Sequence, residues 1–203
     1  MNTILTTYRD TVNKATQYMQ AAYAKNGDGS YMYSQEHQRF IVDASILKFF
    51  IAWETFLESA FSAFLLKKQT LQGTCVNTFV TASDFEHAKK LLVGTNTYFD
   101  WANPDKVIEL SKLYLGEVNP IHNAVASIKC DLFDLKTIRN AAAHLSATTQ
   151  KSLESMVQRR TGRMAKGTTP TDFIIGNYNG TIYWYYYKDL LDAAAESIAN
   201  GNV

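Results

Sequence analysis

The sequence predicts an all-α protein in which long amphipathic helices pack into a bundle. Three observations support this fold class: apolar residues recur every three or four positions, capping residues precede several of these runs, and short glycine- or proline-containing segments separate them. The chain has 203 residues, of which 46% are hydrophobic and 19% charged. It can therefore bury a substantial core, and we expect a single domain over residues 1–203.

Two helices are predicted in the first third of the chain. Residues 3–24 are apolar at helical spacing and end in the turn-forming segment 26–30. A longer helix over about 36–68 is apolar on more than one side, which is typical of a central helix. Its first stripe contains Phe40, Leu47, Phe50, Ile51, Leu57, Phe61 and Phe64, and its second Ile46, Phe49, Trp53, Phe56 and Ala60. Charges at 48, 54 and 58 favour a buried helix over a membrane span.

Three later helix starts carry capping signals. Residues 83–86 match a capping box, and Gly94 ends that short helix. The pair Asn103-Pro104 begins a helix that ends at Gly116. Residues 119–120, again Asn-Pro, begin the most regular helix, which we expect to be continuous. Its apolar positions are Ile121, Val125, Ile128, Leu132, Leu135, Ala142 and Leu145.

The C-terminal third leaves two alternatives open. From 150 to 160 the helix either continues or restarts, and a polar, basic loop follows over 161–171. Phe173-Ile174-Ile175, Asn179-Gly180 and the run 181–187 resemble a small β-hairpin near 172–187, whereas the alternative is a loop followed by a helix from about Tyr183. In either case Leu190, Leu191, Ala194, Ala195 and Ile198 predict a last helix that ends at Gly201.

Composition narrows the classes of function. The net charge of +1 predicts no nucleic-acid coat protein, so any contact with nucleic acid must use a local patch. Cys75 and Cys130 lie outside any ligand spacing, which argues against a disulfide scaffold or a thiolate zinc site and fits a reducing cytoplasm. We expect no membrane segment, metal or cofactor.

The most informative stretch is Arg139-Asn140-Ala141-Ala142-Ala143-His144. An arginine can neutralise a phosphate, an asparagine can orient it, and a histidine can move protons near neutral pH. Asn140 and His144 are four residues apart and share one helix face. The apolar pattern puts Arg139 near the middle of the buried seam, between Leu135 and Ala142, where an arginine needs a partner, a cleft or an interface.

Glu54 is a second anomaly, because it falls on an apolar seam where an unpaired carboxylate is costly. It is predicted either to contact Arg139 or a neighbouring donor, or to reach solvent at a helix edge. Ser146 and the three alanines of the motif are small and leave room for a ligand, so Ser146 is an accessory candidate.

Arg-Asn followed by three residues and His, late in an all-α domain, resembles the signature of the HEPN superfamily (higher eukaryotes and prokaryotes nucleotide-binding). The stretch 53–58, Trp-Glu-Thr-Phe-Leu-Glu, is also similar to HEPN proteins of bacterial toxin and defence loci. The resemblance implies a HEPN-like bundle and a metal-independent endoribonuclease, usually a homodimer whose two motifs face one cleft. An antitoxin of nucleotidyltransferase type would fit such a toxin as a partner.

The resemblance also implies roles for the motif. Arg139 would bind and stabilise the scissile phosphate, His144 would act as general base or acid around the attack by the 2′-hydroxyl, and Asn140 would orient His144 or the phosphate. The alternative function is a non-catalytic HEPN module that binds nucleotide or RNA, or a dimerising adaptor. Candidate RNA-binding cations are Lys136, Arg159, Arg160, Arg163 and Lys166, although a solvated basic loop explains them as well.

Overall fold

The computed structural model describes residues 1–144 and 146–203, and over these it is 66% helical. The predicted all-α helical bundle is confirmed. The helices are α1 (Asn2–Ala21), α2 (Gln35–Leu65), α3 (Phe85–Val93), α4 (Pro104–Leu115), α5 (Pro120–Ser127), α6 (Lys129–Ala143), α7 (Ala147–Thr161), α8 (Pro170–Ile174) and α9 (Tyr183–Asn200). Two short strands, β1 (Asn177–Tyr178) and β2 (Thr181–Ile182), pair antiparallel. No helix in the described part of the chain has the length and apolar character needed to cross a membrane.

The long helix α2 buries most of its predicted apolar positions but not all of them. Phe49, Phe50 and Trp53 are each 1% exposed, whereas Phe40 and Ile51 are 74% and 51% exposed. At 100° per residue, Phe40 and Ile51 project roughly opposite to the seam through Phe49 and Trp53. The prediction that Phe40 and Ile51 face the core is therefore wrong.

Local capping determines where α3 and α4 begin. Asn103 caps α4 by accepting hydrogen bonds from the N–H groups of residues 105 and 106, and Gly116 ends the helix at φ 90°, as predicted. At α3 the cap is Asp84, which accepts from the His87 N–H, and the predicted capping box begun by Ser83 is not the cap. Aspartate takes that role because its carboxylate reaches the free N–H groups of the first turn.

The predicted continuous helix from residue 120 is interrupted at Ile128. Its ψ angle of 17° separates α5 from α6, and Ser127 Oγ donates to the Ala124 carbonyl at 2.8 Å in place of a regular helical bond. The apolar positions Ile121, Val125, Ile128, Leu132 and Leu135 are nevertheless all buried. The periodicity therefore identified the core face correctly as far as Leu135 but missed the break. Ala142 is half-buried, and Leu145 lies outside the described residues.

Both alternatives for residues 172–187 hold in part. A hairpin forms with Asn177 opposite Ile182, and Asn179 and Gly180 occupy the turn with φ angles of 50° and 89°, the positive values of a tight hairpin turn. Helix α9 then begins at Tyr183. The segment 173–175 is not a strand, because Pro170 at the first turn and the Thr169 cap start the short helix α8 there.

The described backbone groups into two compact units. Unit 1 contains Met1–Arg9, Trp53–Phe133 and Asp189–Val203, and unit 2 contains Asp10–Ala52 and Asp134–Lys188.

In unit 1, the Tyr8 ring lies 5.2 Å from the Phe56 ring, centroid to centroid. The end of α9 is held to the segment after α2 because the Leu71 N–H donates to the Ala199 carbonyl at 2.8 Å. Gly201 follows with a φ of 77°, close to Thr70.

In unit 2, a fully buried indole joins three elements. Trp184 is 0% exposed, its Nε1 donates to Thr16 Oγ1 at 3.0 Å, and its ring lies 5.4 Å from that of Phe49. Thr171 Oγ1 donates to Asp43 Oδ1 at 2.9 Å and so ties α8 to α2. The aromatic run 183–187 therefore contributes mainly to the core, since Tyr183, Trp184 and Tyr187 are all buried.

Candidate nucleic-acid interface

The predicted catalytic motif occupies the last turn of α6, in unit 2. Ala143 is the last helical residue, and the His144 N–H still donates to the Asn140 carbonyl at 2.9 Å. His144 therefore keeps helical spacing to Asn140, and the two residues share one face as predicted. His144 is exposed, and Asn140 is half-buried. The histidine is accessible to a ligand, and the asparagine lies one turn below it.

Arg139 is half-buried beside Asn140. Its Nη1 donates to Asn140 Oδ1 at 3.1 Å. Its Nε is buried and has no hydrogen-bond partner among the described residues. An unsatisfied buried donor costs about 1–3 kcal/mol. The guanidinium therefore has unused capacity to donate to an incoming acceptor.

The buried seam of α6 is centred one residue before the position that the sequence predicts. Leu132, Leu135, Ile138 and Ala141 are at most 4% exposed, whereas Arg139 and Ala142 are half-buried. Arg139 thus flanks the seam, because the buried positions of α6 continue from Leu135 through Ile138 and Ala141 rather than to Ala142. One edge of the arginine is therefore covered while the rest of the motif stays open to solvent.

The two accessory candidates have different environments. Glu54 is half-buried on α2 in unit 1, and its predicted contact with Arg139 stays a prediction. Ser146 caps α7, since its Oγ accepts from the Thr149 N–H at 3.2 Å in a capping box with Thr149. Thr149 Oγ1 in turn donates to the His144 carbonyl at 2.5 Å. Ser146 thus begins α7 directly after the motif, which settles that the helix restarts rather than continues.

A buried carboxylate on α6, that of Asp134, is not among the residues that the sequence pattern singles out. Asp134 is 1% exposed, and its two oxygens accept hydrogen bonds from Arg159 Nη2 and Arg160 Nε on α7. The side chains of Arg159 and Arg160 are 58% and 19% exposed. Two of the five candidate RNA-binding cations therefore hold α7 against α6. Much of the Arg159 side chain stays in solvent, so its guanidinium can still bind an anion.

The loop cation Lys166 lies near another side of α7, that of Gln150 and Glu154. Gly167 N–H donates to Glu154 Oε1 at 2.7 Å, and Gln150 Nε2 donates to the Thr168 carbonyl at 3.0 Å. Hydrogen bonds from the Gln150 amide and the Gly167 N–H lower the pKa of Glu154, and the nearby charge of Lys166 acts in the same direction. Lys166 thus sits beside a carboxylate.

Of the other two candidates, Arg163 is exposed and Lys136 is half-buried. Neither lines the groove between α6 and α7.

An open groove of about 890 Å³ runs between α6 and α7. Its polar lining consists of Thr137 from α6 and Thr148, Lys151, Ser152, Ser155 and Arg159 from α7. On α6, Thr137, Asn140 and His144 lie within roughly 60° of one another at 100° per residue. The groove therefore opens on the same side of α6 as the asparagine and histidine of the motif.

A polar face of α7 is the sequence pattern that could have revealed this groove. Residues 148, 151, 152, 155 and 159 recur at intervals of one to four and are all polar, which is the spacing of one helix face. Lys151 is exposed on that face. Asp134 carries no comparable signal, because its partners are 25 and 26 residues further along the chain.

No family model, no curated protein and no solved structure matches the chain.

Proposed function

We propose that this protein is a metal-independent endoribonuclease of HEPN type that acts in the cytoplasm as a toxin or defence effector. The observation that carries the proposal is the grouping of Arg139, Asn140 and His144 at the end of α6. There the guanidinium of Arg139, whose Nε has no partner among the described residues, lies beside Asn140, and the exposed His144 follows Asn140 by one helical turn. The motif's resemblance to the HEPN signature supports the same chemistry.

RNA supplies its own nucleophile, so the protein must move protons and stabilise charge. The 2′-oxygen attacks the adjacent phosphorus, and its proton passes to a histidine acting as base. The bond from phosphorus to the 5′-oxygen breaks, and that oxygen takes a proton from a histidine acting as acid. The products are a 2′,3′-cyclic phosphate and a 5′-hydroxyl. A homodimer would supply His144 twice, one copy for each proton transfer.

Arg139 would stabilise the extra negative charge on the phosphorane. A phosphate at the guanidinium would draw the side chain outward and give its Nε–H an acceptor, relieving the cost of the buried donor. Asn140 already accepts a hydrogen bond from Arg139 Nη1, so it would fix the orientation of the guanidinium on the side of the helix that carries His144. Loss of Arg139 should therefore reduce the rate more than the affinity, since the charge it meets is largest in the transition state.

The test compares wild type, Arg139→Ala and His144→Ala on several single-stranded RNAs in the presence of EDTA. His37→Ala is the matched control, because His37 is also an exposed histidine of unit 2 but lies at the start of α2. We expect cleavage by wild type and His37→Ala and a loss of at least about 100-fold in the two motif variants. Equal cleavage by all four proteins, or none by wild type, would contradict the proposal.

A second candidate function is a non-catalytic module that binds RNA or nucleotide, or a dimerising adaptor with an antitoxin partner of nucleotidyltransferase type. The ion pairs of Asp134 with Arg159 and Arg160 favour it, because they give two of the candidate cations a structural role in joining α6 and α7 that needs no catalysis. Binding of RNA without cleavage, together with an unchanged oligomeric state in His144→Ala, would support this function instead.

A further inference from the structure

The groove between α6 and α7 has the chemistry of an anion-binding surface. It carries two cations, Lys151 and Arg159, and the described residues that line it include no acidic or aromatic side chain. Protein partners usually anchor through buried aromatic and arginine residues in tight pockets, which this open, hydroxyl-rich surface does not offer. The ligand that fits is an extended polyanion read through its backbone.

The dimensions favour a strand over a single phosphate. Thr148 and Arg159 are eleven residues apart on α7, roughly 16 Å along the helix axis. Lys151 and Arg159 are roughly 12 Å apart on the same scale. The two cations therefore suit different phosphates of one strand. Arg159 is held in place by Asp134 through one of its nitrogens, so less conformational entropy is lost when it binds.

Three hydroxyls lie between or beside these cations on the same face, those of Thr148, Ser152 and Ser155. A ribose 2′-hydroxyl both donates and accepts hydrogen bonds, and it is the group by which a protein tells RNA from DNA. With no aromatic ring in the lining, base stacking would contribute little, and sequence preference should be weak.

We propose that this groove binds the sugar–phosphate backbone of single-stranded RNA, with Lys151 and Arg159 contacting phosphates and Thr148, Ser152 and Ser155 contacting ribose hydroxyls. The choice of RNA rests on the proposed function, but the binding does not require cleavage. Because the groove opens on the side of α6 that carries Asn140 and His144, a strand lying in it leads towards the motif. The substrate track would thus follow α7, away from the loop that carries Arg163 and Lys166.

The experiment measures binding of a fluorescent oligouridylate by anisotropy over a range of salt concentrations, in a His144→Ala background that keeps the RNA intact. Lys151→Ala should weaken binding several-fold and reduce the slope of log Kd against log salt by about 0.7, the value for one lost phosphate contact on a single strand. Lys14→Ala is the matched control, since Lys14 is an exposed lysine of unit 2 on α1 and removes the same charge. It should change neither quantity.

The double variant Ser152→Ala/Ser155→Ala should lower the preference for oligouridylate over oligodeoxyuridylate while leaving the salt slope unchanged. Identical slopes for Lys151→Ala and wild type, or equal effects of Lys14→Ala and Lys151→Ala, would overturn the groove as the binding site. An unchanged preference for RNA over DNA would overturn the role of the hydroxyls. Cleavage by the wild type combined with either result would leave the proposed nuclease intact and refute only the groove.

Discussion

Replacing Asp134 by asparagine should destabilise the protein strongly, although the two side chains have nearly the same shape. Both carboxylate oxygens of Asp134 accept hydrogen bonds, one from Arg159 and one from Arg160. Asparagine keeps one acceptor but turns an NH₂ group towards a guanidinium donor. It also removes the negative charge that balances two cations.

The magnitude follows from the burial of the three side chains. Removing one partner of a buried ion pair costs about 3–5 kcal/mol, because the remaining charge is left without compensation. Asp134 is 1% and Arg160 19% exposed, so their pairing belongs to this class, whereas Arg159 is 58% exposed and stays hydrated when the pair is broken. Discounting the exposed pair, we expect Asp134→Asn to lower the free energy of unfolding by about 3 kcal/mol.

Urea unfolding followed by far-UV circular dichroism measures this loss, and thermal unfolding should show a decrease in Tm of about 6–12 °C. Asp192→Asn is the matched control. Asp192 also accepts two hydrogen bonds from one arginine, Arg9, but both side chains are more than a third exposed, so a loss of only about 0.2–1 kcal/mol is expected. If Asp134→Asn cost no more than Asp192→Asn, the reasoning from burial would be refuted.

Two further predictions concern Gly201 and Asp43. Gly201→Ala should lower the free energy of unfolding by about 1–2 kcal/mol through its φ of 77°, and further because the new Cβ would lie 2.6 Å from Thr70 Cγ2. In urea unfolding, Gly162→Ala, which has a φ of 69° and open space, should show the backbone part alone, and a smaller effect for Gly201→Ala would contradict the contact. Burial raises the pKa of Asp43 despite the hydrogen bond from Thr171, so the folded state holds this proton more tightly than the unfolded chain. The contribution of Asp43 to the free energy of unfolding is fully present below the unfolded pKa of about 3.9, where the carboxyl is protonated. It is lost as the pH rises through the higher pKa of the folded state. Asp43→Asn should therefore gain stability relative to wild type between pH 3 and neutrality, and a constant difference over that range would argue against it.

The parts of the fold that sequence predicts well are those that depend on neighbouring residues. Asn103 and Gly116 mark the two ends of α4 because capping involves only the first and last turns. The break at Ile128 was missed because no glycine or proline occurs there and the apolar spacing runs through it. It depends on a backbone angle and on the Ser127 hydroxyl, which periodicity does not report.

The candidate site likewise has features that local sequence predicts and features that depend on how the helices pack. The shared face of Asn140 and His144 is a property of helix geometry and could be predicted from spacing alone. The pairing of Asp134 with α7 joins residues 25 and 26 positions apart and depends on how two helices pack, so no local pattern reveals it. This pairing gives Arg159 and Arg160 a structural role, whereas the sequence alone suggests that they are surface cations available to RNA.

The indole of Trp184 provides a spectroscopic reporter of unit 2. The other tryptophans, Trp53 and Trp101, belong to unit 1. In a Trp53→Phe/Trp101→Phe background, indole emission would come from Trp184 alone, and it would be shielded from aqueous quenchers and blue-shifted as long as the ring stays buried. A red shift during denaturation would then record the opening of the unit that carries the Arg-Asn-His motif, separately from the helical signal of the whole chain.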